Sequence, residues 1–490
     1  MSIPPDSFFL PPQFSGTLQQ QIRQMVAEGI LSGRFRAGDK MPSSRGLATH
    51  LGISRITVTL AYTDLVSSDY LMSRGRSGYF VSDSAPRQPD FPQSPDQSGD
   101  DVDYDAITGQ RFSRATRVTK PEDWRSYPYP FIYGQPDASL FDHQNWRLCA
   151  MRALGKRDFE TLTSDYYERD DPLLIEYILR NILPRRGISA RPANVLLTLG
   201  AQNALWLAAQ VLLGPERTAV LENPCYPGLR GIVDQTNCHV QSVNVDADGL
   251  PPEAIPPRAD VVFTTASHHC PTNATMPLPR RHALLQAAST RNFIVVEDDY
   301  EFEMSFLKPA SPSLKSLDRE GRVIYVGSFS KSLFPGIRLG YLVGPEAFIR
   351  EARALRAAVL RHPPGHIQRT VAYFLSLGHY DALINRMKQA YKRRRMIMDE
   401  AIADHGLTIA GQGGFGGSSI WMRAPDHVDT ERLAETLRAE GVLIEPGRVF
   451  FDPTSGPDNY YRLAYSSIPN SKIAEGIGLI AKTIAQTGPK

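Results

Sequence analysis

The run GRVIYVGSFSKSLFPGIRLGYLVG, residues 321–344, carries the reading of the fold. A β-branched strand, Val323–Val326, ends in Gly327-Ser328-Phe329-Ser330-Lys331, and Arg338 follows before another apolar run, Leu339–Val343. A lysine just past a strand and hemmed by apolar residues tends toward a lowered pKa, which favours Schiff-base chemistry. The Ser328 and Ser330 hydroxyls with the Arg338 guanidinium suit a dianionic phosphate. Taken alone, Lys331 reads more often as a solvated loop residue.

Working outward, FIVVEDDYEFEM (293–304) is an apolar strand, Phe293–Val296, ending in Glu297, Asp298, Asp299 and Tyr300. Three adjacent carboxylates repel one another without a cationic partner, and a protonated pyridine nitrogen is one such partner. A metal site or a surface acidic cluster is the alternative, although no His stands at ligand spacing. LLTLGAQNALWLAA (196–209) is a strand, a glycine turn at Gly200-Ala201-Gln202 and a helix, whose N-terminus offers N–H groups to a phosphate. ENPCYPGLR (222–230) sets Tyr226 after a strand, for stacking on a ring or for core packing. Further apolar runs at Val195–Thr198, Thr218–Glu222 and Val261–Thr264 are separated by crossover-length segments, which predicts an α/β domain with a largely parallel sheet. From about Tyr373 the pattern is helical and then mixed, predicting a smaller α+β lobe.

Ahead of this domain, residues 82–105 read SDSAPRQPDFPQSPDQSGDDVDYD, too poor in hydrophobic residues to repay ordering. A flexible linker over 83–122 is expected, with a mean reach of roughly 35 Å. Residues 12–82 form a small domain of their own. Ile22, Met25, Val26, Gly29 and Ile30 share a helical face; Ser43 caps a short helix with Leu47, Ala48 and Leu51 inward, closed by Gly52. A second helix from Ser54 turns Val58, Ala61, Tyr62 and Leu65 one way, and Ile56, Thr59 and Thr63 the other. Two extended stretches, Tyr70–Met72 and Tyr79–Val81, flank the basic tip Arg74-Gly75-Arg76-Ser77-Gly78. Two helices on a tight glycine turn followed by a basic ribbon make a winged helix-turn-helix. Its second helix would enter the major groove with Arg55 in its first turn and Ile56 free to meet a thymine methyl. A helical module for protein contacts fits the periodicity equally.

Length and composition frame these readings. At 490 residues the chain holds two or three folding units, and 42% hydrophobic with 22% charged residues is globular. A net charge of +2 gives no global argument for nucleic acid, so any basic site is local. Cys149, Cys225, Cys238 and Cys270 form no C-x-x-C pair, so no zinc site and no disulfide framework is expected. The start lacks a basic n-region, and Ala193–Gly214 reads as strand, turn and helix rather than as a membrane span. The expected compartment is the cytoplasm.

The first domain resembles the GntR-type winged helix closely, through Gly38, Pro42, Ser43, Arg45, Leu47, Ala48, Leu51, Gly52, Ser54, Arg55, Thr57, Val58, Ala61, Tyr62, Leu65, Gly75, Gly78 and Val81. The resemblance implies sequence-specific binding of double-stranded DNA by a dimer, with Ser43, Arg45, Arg55, Thr57 and Gly78 at the contacts. The second domain resembles the fold-type-I aminotransferases that use pyridoxal 5′-phosphate. Together they resemble the MocR-type subfamily of GntR regulators. FIYGQPDASLF (131–141), RRGI (185–188), EDDYE, the S-F-S-K–x6–R-L-G-Y string and RMKQAYKRRR (386–395) all fit. By this resemblance residues 123–486 bind the cofactor, with the small lobe over about 373–486. Lys331 holds the cofactor as an aldimine and is the catalytic residue. Asp298 pairs the pyridine nitrogen, Tyr300 meets the phenolic oxygen, and Tyr226 stacks on the ring. Ala201, Gln202, Ser328, Ser330 and Arg338 surround the phosphate, and Arg462 in NYYRLAYS grips a ligand's acid group.

Two stretches depart from the subfamily. Its YGDP-RG run is Tyr166-Tyr167-Glu168-Arg169-Asp170-Asp171, and its S-H-Q-x-P-T-G is Ser267-His268-His269-Cys270-Pro271-Thr272-Asn273. Asn tolerates the left-handed backbone a glycine would supply, whereas His269 changes a polar contact. The expectation is a homodimeric regulator, head-to-tail with exchanged DNA-binding domains, that senses an amine by aldimine exchange. The alternatives are a working aminotransferase with an accessory DNA-binding domain and an enzyme that regulates its own operon.

Overall fold

The computed structural model describes residues 2–10, 16–86, 102–109, 112–113, 119–135, 137–165, 169–411, 413–454 and 456–487. The chain divides into two compact units, Met1–Gly109 and Gln110–Lys490. Most of the expected linker, and Tyr166, Tyr167 and Glu168 of the altered loop, lie outside the described residues. Within the linker a short helix spans Tyr104–Thr108. Among the described residues no helix is long and apolar enough to cross a membrane.

In the first unit α1 (Leu18–Leu31), α2 (Ser44–Leu51) and α3 (Arg55–Ser67) pack on a hairpin of β1 (Leu71–Ser73) and β2 (Tyr79–Val81). Ser43 caps α2 by accepting the Gly46 N–H at 3.0 Å, and Gly52 closes it at φ 66°. The inward face of α3 is the expected one: Val58, Ala61, Tyr62 and Leu65 are buried. The first strand of the hairpin runs one residue later than expected, and its tip is a single 3-10 turn, Gly75–Ser77. Ile3 and Phe8, ahead of the expected start at residue 12, are also buried in this core.

The second unit is built on seven strands: β3 (Val195–Thr198), β4 (Thr218–Asn223), β5 (His239–Asn244), β6 (Val261–Thr264), β7 (Ile294–Asp298), β8 (Val323–Ser328) and β9 (Gly340–Val343). Their order is β3-β9-β8-β7-β6-β4-β5. Strands β4 to β8 pair in parallel, and β9 runs antiparallel between β8 and β3. Strand residues alternate between two cores: Ile324 and Val326 face one, with helix α4 (Gly200–Leu212), while Tyr325 faces the other. Burial on both faces explains why these strands read as continuous apolar runs. The segment Ala193–Gly214 is therefore a strand, a turn and a helix, as its sequence indicates.

The smaller lobe is a four-stranded sheet of Thr408–Ile409, Ser419–Arg423, Tyr460–Ala464 and Glu445–Pro446, packed with the long helix His379–Asp404 and the helix Asn470–Gln486. The RMKQAYKRRR run explains itself here. Arg394 donates to the Ser466 carbonyl at 2.6 Å and pairs with Asp137, and Arg395 donates to the Gly413 carbonyl at 3.2 Å.

Candidate functional site

In the parallel part of the sheet the chain leaves each strand at the same edge, and the candidate residues gather there, at the carboxyl ends. Gly340 is level with both Ser328 and Thr198, so the loops after β3 and β8 meet. The Arg338 guanidinium reaches the start of α4 and donates to the Leu199 carbonyl at 3.1 Å. The Ser330 N–H donates to the Ser328 hydroxyl at 3.1 Å. Ala201 and Gln202 stand in the first turn of α4, where N–H groups have no intrahelical acceptor. Arg338, these hydroxyls and that helix end form one cationic, donor-rich corner.

The acidic triple resolves residue by residue. Glu297 accepts the Leu314 and Lys315 N–H groups at 2.8 and 2.9 Å. Asp299 pairs with Arg186 at 2.6 Å and accepts the Tyr325 hydroxyl at 2.9 Å. Asp298 is buried too, but its Oδ1 has no protein partner. Burial, with Asp299 and Glu222 nearby, pushes its carboxyl up to about 7. Mutual repulsion thus needs no external cation at two of the three carboxylates, which protein groups satisfy, and only Asp298 is left for something else. Arg186 comes from the RRGI run.

Lys331 is half-buried, and burial lowers its ammonium to about 8, against the pull of the Glu301 carboxylate. Its Nζ lies 3.9 Å from the centroid of the Tyr133 ring. Arg462 is buried, donates from Nε to Glu445 at 2.7 Å, and lies between the rings of Tyr133 (4.1 Å) and Phe450 (4.7 Å). Its Nε thus serves Glu445, and one terminal nitrogen lies 3.8 Å from Cys270 Sγ. Tyr226 and Tyr300 are half-buried against the cluster of Cys270, Trp421 and Phe450.

The altered turn keeps its shape: Asn273 adopts φ 60° and donates to the Ser419 carbonyl at 2.7 Å. His269 lies 3.3 Å from the buried Glu222 and 2.7 Å from the Thr272 hydroxyl. Of the other altered loop, Asp170 pairs with Arg356 at 2.5 Å and Arg353 at 3.1 Å, and Asp171 pairs with Arg369 at 2.7 Å, so both acids anchor structure. Tyr133, His268, Glu301, Ser418 and Glu445 also line this region without any local pattern that marks them. Position alone signals two of them: Tyr133 lies inside the FIYGQPD run, and Glu301 directly follows EDDY. Among the described residues no group of three or more His, Cys, Asp or Glu is arranged to hold a metal.

In the first unit Ser43, Arg45, Arg55 and Ile56 are exposed, Ile56 at 70%, and Thr57 and Gly78 are half-buried. Arg55 Nε donates to Ser44 Oγ at 3.3 Å, which ties the starts of α2 and α3 together.

The chain matches the family of bacterial regulatory proteins, gntR family, over residues 18–81, and aminotransferase class I and II over residues 149–479. It is 63% identical to the HTH-type transcriptional regulator TauR of Rhodobacter capsulatus, over 99% of this chain and 100% of that one. It is 28% identical to the probable rhizopine catabolism regulatory protein MocR of Rhizobium meliloti, over 94% and 92%. The chain belongs to the MocR-type subfamily of GntR regulators. Members join a winged helix to an aminotransferase-like domain, so this chain is a transcription regulator that binds DNA. Among solved structures it resembles LysN, an α-aminoadipate aminotransferase of Thermus thermophilus complexed with a phosphopyridoxyl-leucine (TM-score 0.71, 26% identity, 79% of this chain and 99% of that one). It also resembles the Pyrococcus horikoshii kynurenine aminotransferase (TM-score 0.70, 27% identity, 78% and 99%). The cofactor of the second unit is pyridoxal 5′-phosphate, and its residues fit that group: the unpartnered Asp298 oxygen matches a pyridinium and the Arg338 corner matches a phosphate.

Proposed function

We propose that the second unit senses an amino compound (an amino acid, an amino sulfonate or a related amine) by covalent exchange at Lys331, and that the chain thereby controls genes for its uptake or metabolism. When bound, the cofactor supplies an aldehyde carbon that amines attack reversibly, beside a pyridinium that withdraws electrons. Lys331, with its ammonium lowered to about 8, is neutral in about a tenth of molecules at pH 7, far more than an ordinary lysine. Asp298 would pair the cofactor's ring nitrogen, Tyr300 would meet its phenolic oxygen, and Tyr226 would stack on the ring. Ala201, Gln202, Ser328, Ser330 and Arg338 would hold the phosphate, and the terminal nitrogens of Arg462 would take the ligand's acid group. Ser43, Arg45, Arg55, Ile56, Thr57 and Gly78 meet double-stranded DNA in the cytoplasm. The protein works as a homodimer, head-to-tail with exchanged DNA-binding units.

The observation that supports this most is the unpartnered carboxylate oxygen of Asp298, among the described residues, in the unit that shares its chain with a winged helix. Titrating a panel of amines against the bound cofactor's absorption, with operator DNA present, tests it: the active amine must shift both the spectrum and the DNA affinity. A working aminotransferase is the second reading, favoured by Lys331 and Asp298 both being in place. Sustained turnover of amino donor and keto acid, with no change in DNA affinity, would decide for it.

A further inference from the structure

Glu301 is a buried carboxylate to which the function proposed above gives no task. It directly follows Tyr300, is 2% exposed, and pairs with no arginine or lysine among the described residues. Its partners come from three separate stretches of chain. One oxygen accepts the Ser418 hydroxyl; the other accepts the Tyr133 hydroxyl at 3.4 Å and lies 3.2 Å from His268 Nε2. These partners are fixed in place. The Gly417 N–H donates to the Met304 carbonyl at 3.0 Å, which brings Ser418 alongside. A Cβ on Gly417, at φ 80°, would stand 2.4 Å from the His268 ring, so the ring takes the space a side chain would fill. Against the push of burial, His268 and Ser418 hold the Glu301 carboxyl below its ordinary value, so it is ionised at neutral pH.

Glu301 and Lys331 line one small cavity together with Ser330 and Ser418. The Lys331 Nζ lies 3.9 Å from the centroid of the Tyr133 ring, whose hydroxyl Glu301 accepts, so one aromatic ring spans the two groups. The other groups around that nitrogen do less. Arg462 opposes a positive charge on it, but Glu445 offsets Arg462 at 2.7 Å. Burial keeps Cys270, Tyr133 and Tyr300 neutral, pushing the Cys270 thiol up to about 11 and both phenols well above their ordinary value. Asp298 is the carboxyl that fits the cofactor's ring nitrogen, and His268 is the one basic side chain in contact with Glu301.

In the cofactor-loaded protein the Lys331 nitrogen is bonded to the cofactor carbon, and it is positive only while it holds a proton. A fixed carboxylate nearby favours that charged form. We propose that Glu301 is a positioning residue of the cofactor site, whose carboxylate keeps a proton on the nitrogen joining Lys331 to the cofactor at neutral pH. This rests on the attachment at Lys331 proposed above. The proton comes from solvent and returns to it, with no oxidant or reductant. While it is held, the adjoining carbon is poorer in electrons and readier for an incoming amine. Removing the Glu301 charge leaves the bond in place and makes that carbon less reactive.

The test follows the absorption of full-length, cofactor-loaded protein across neutral pH, with no amine present. The protonated form absorbs in the visible and the neutral form in the near ultraviolet, so the two bands define a midpoint. Wild type should be yellow at pH 7. Glu301→Gln, which keeps the shape and removes the charge, should lower the midpoint by about one pH unit or more, a tenfold loss of proton affinity. Glu301→Asp, which keeps a carboxylate, should lie closer to wild type than to the amide. A smaller fall in Glu301→Gln overturns the proposal, as does a Glu301→Asp midpoint as low as the amide's. A wild-type protein already in its near-ultraviolet form at pH 7 overturns it without any variant. If Lys331→Ala keeps the yellow band, the attachment at Lys331 fails first, and this proposal fails with it.

Discussion

Arg55 and Arg462 show how differently the two units use charge. Arg55 is exposed at the start of α3 with one hydrogen bond to Ser44, beside the exposed Ile56, while Val58, Ala61, Tyr62 and Leu65 of its helix are buried. Arg462 is buried, paired with Glu445 and held between two rings. A charge in water acts through contacts that salt screens, whereas a charge in a low-dielectric site shifts the proton affinity of its neighbours. The first unit is thus built to meet phosphates and base edges, and the second to tune an amine and a carboxylate. Without an amine present, changes in one unit should leave the basal signature of the other, cofactor absorption or DNA affinity, untouched.

The largest expected effect breaks the second unit's chemistry outright. Lys331→Ala should abolish covalent attachment of the cofactor, seen as loss of the borohydride-fixed adduct and of the yellow band. Retention of that band in the variant would assign the attachment to another residue.

Next, Asp298 links the site to stability. Its carboxyl is raised to about 7, from an ordinary value near 4. Between about pH 4 and 7 the cofactor-free folded chain therefore holds one more proton here than the unfolded chain. Its contribution to stability is complete below that window and lost as pH rises through 7. Asp298→Asn should stabilise the cofactor-free protein above pH 7 by up to about 4 kcal/mol and change little at pH 4. The same variant should hold the cofactor more weakly, because an amide offers the pyridinium no charge. Thermal melts with and without cofactor across that pH range check both signs.

In the first unit, Arg55→Ala should weaken operator binding by about 1–3 kcal/mol if it reads a guanine, and equally on all sequences if it meets phosphate. The cofactor spectrum should not move, and a salt series separates the two cases. The smallest effect belongs to the cap: Ser43→Ala removes the acceptor of the Gly46 N–H and should cost about 1 kcal/mol of stability in the first unit, measured by denaturant unfolding.

The contrast between the units also explains what could be read from sequence. The buried face of α3, the Gly52 cap and the alternation of strands and helices follow from local periodicity and turn chemistry, and they stand where the pattern put them. Lys331, Asp298 and Arg338 were legible as strand-end residues in recognisable strings. What escaped was pairing across long separations. Glu445 beside Arg462 arises from antiparallel register in the small lobe, Arg186 on Asp299 crosses 113 residues, and Glu301 on Tyr133 crosses 168. Such contacts depend on which strands become neighbours, and no window of the chain contains that. Ile3 and Phe8 were missed because the apolar residues scattered among the prolines of residues 3–12 carry no helical or strand period.

Under the proposed function, chemistry at Lys331 changes what the winged helix does on DNA. The most direct measurement follows operator affinity and cofactor absorption in the same sample while an active amine is titrated, for wild type and Lys331→Ala. The account predicts that in wild type both signals move together with one midpoint, and that in Lys331→Ala the amine leaves DNA affinity where it was. An amine that shifts the affinity of the Lys331→Ala protein as far as that of wild type would contradict it.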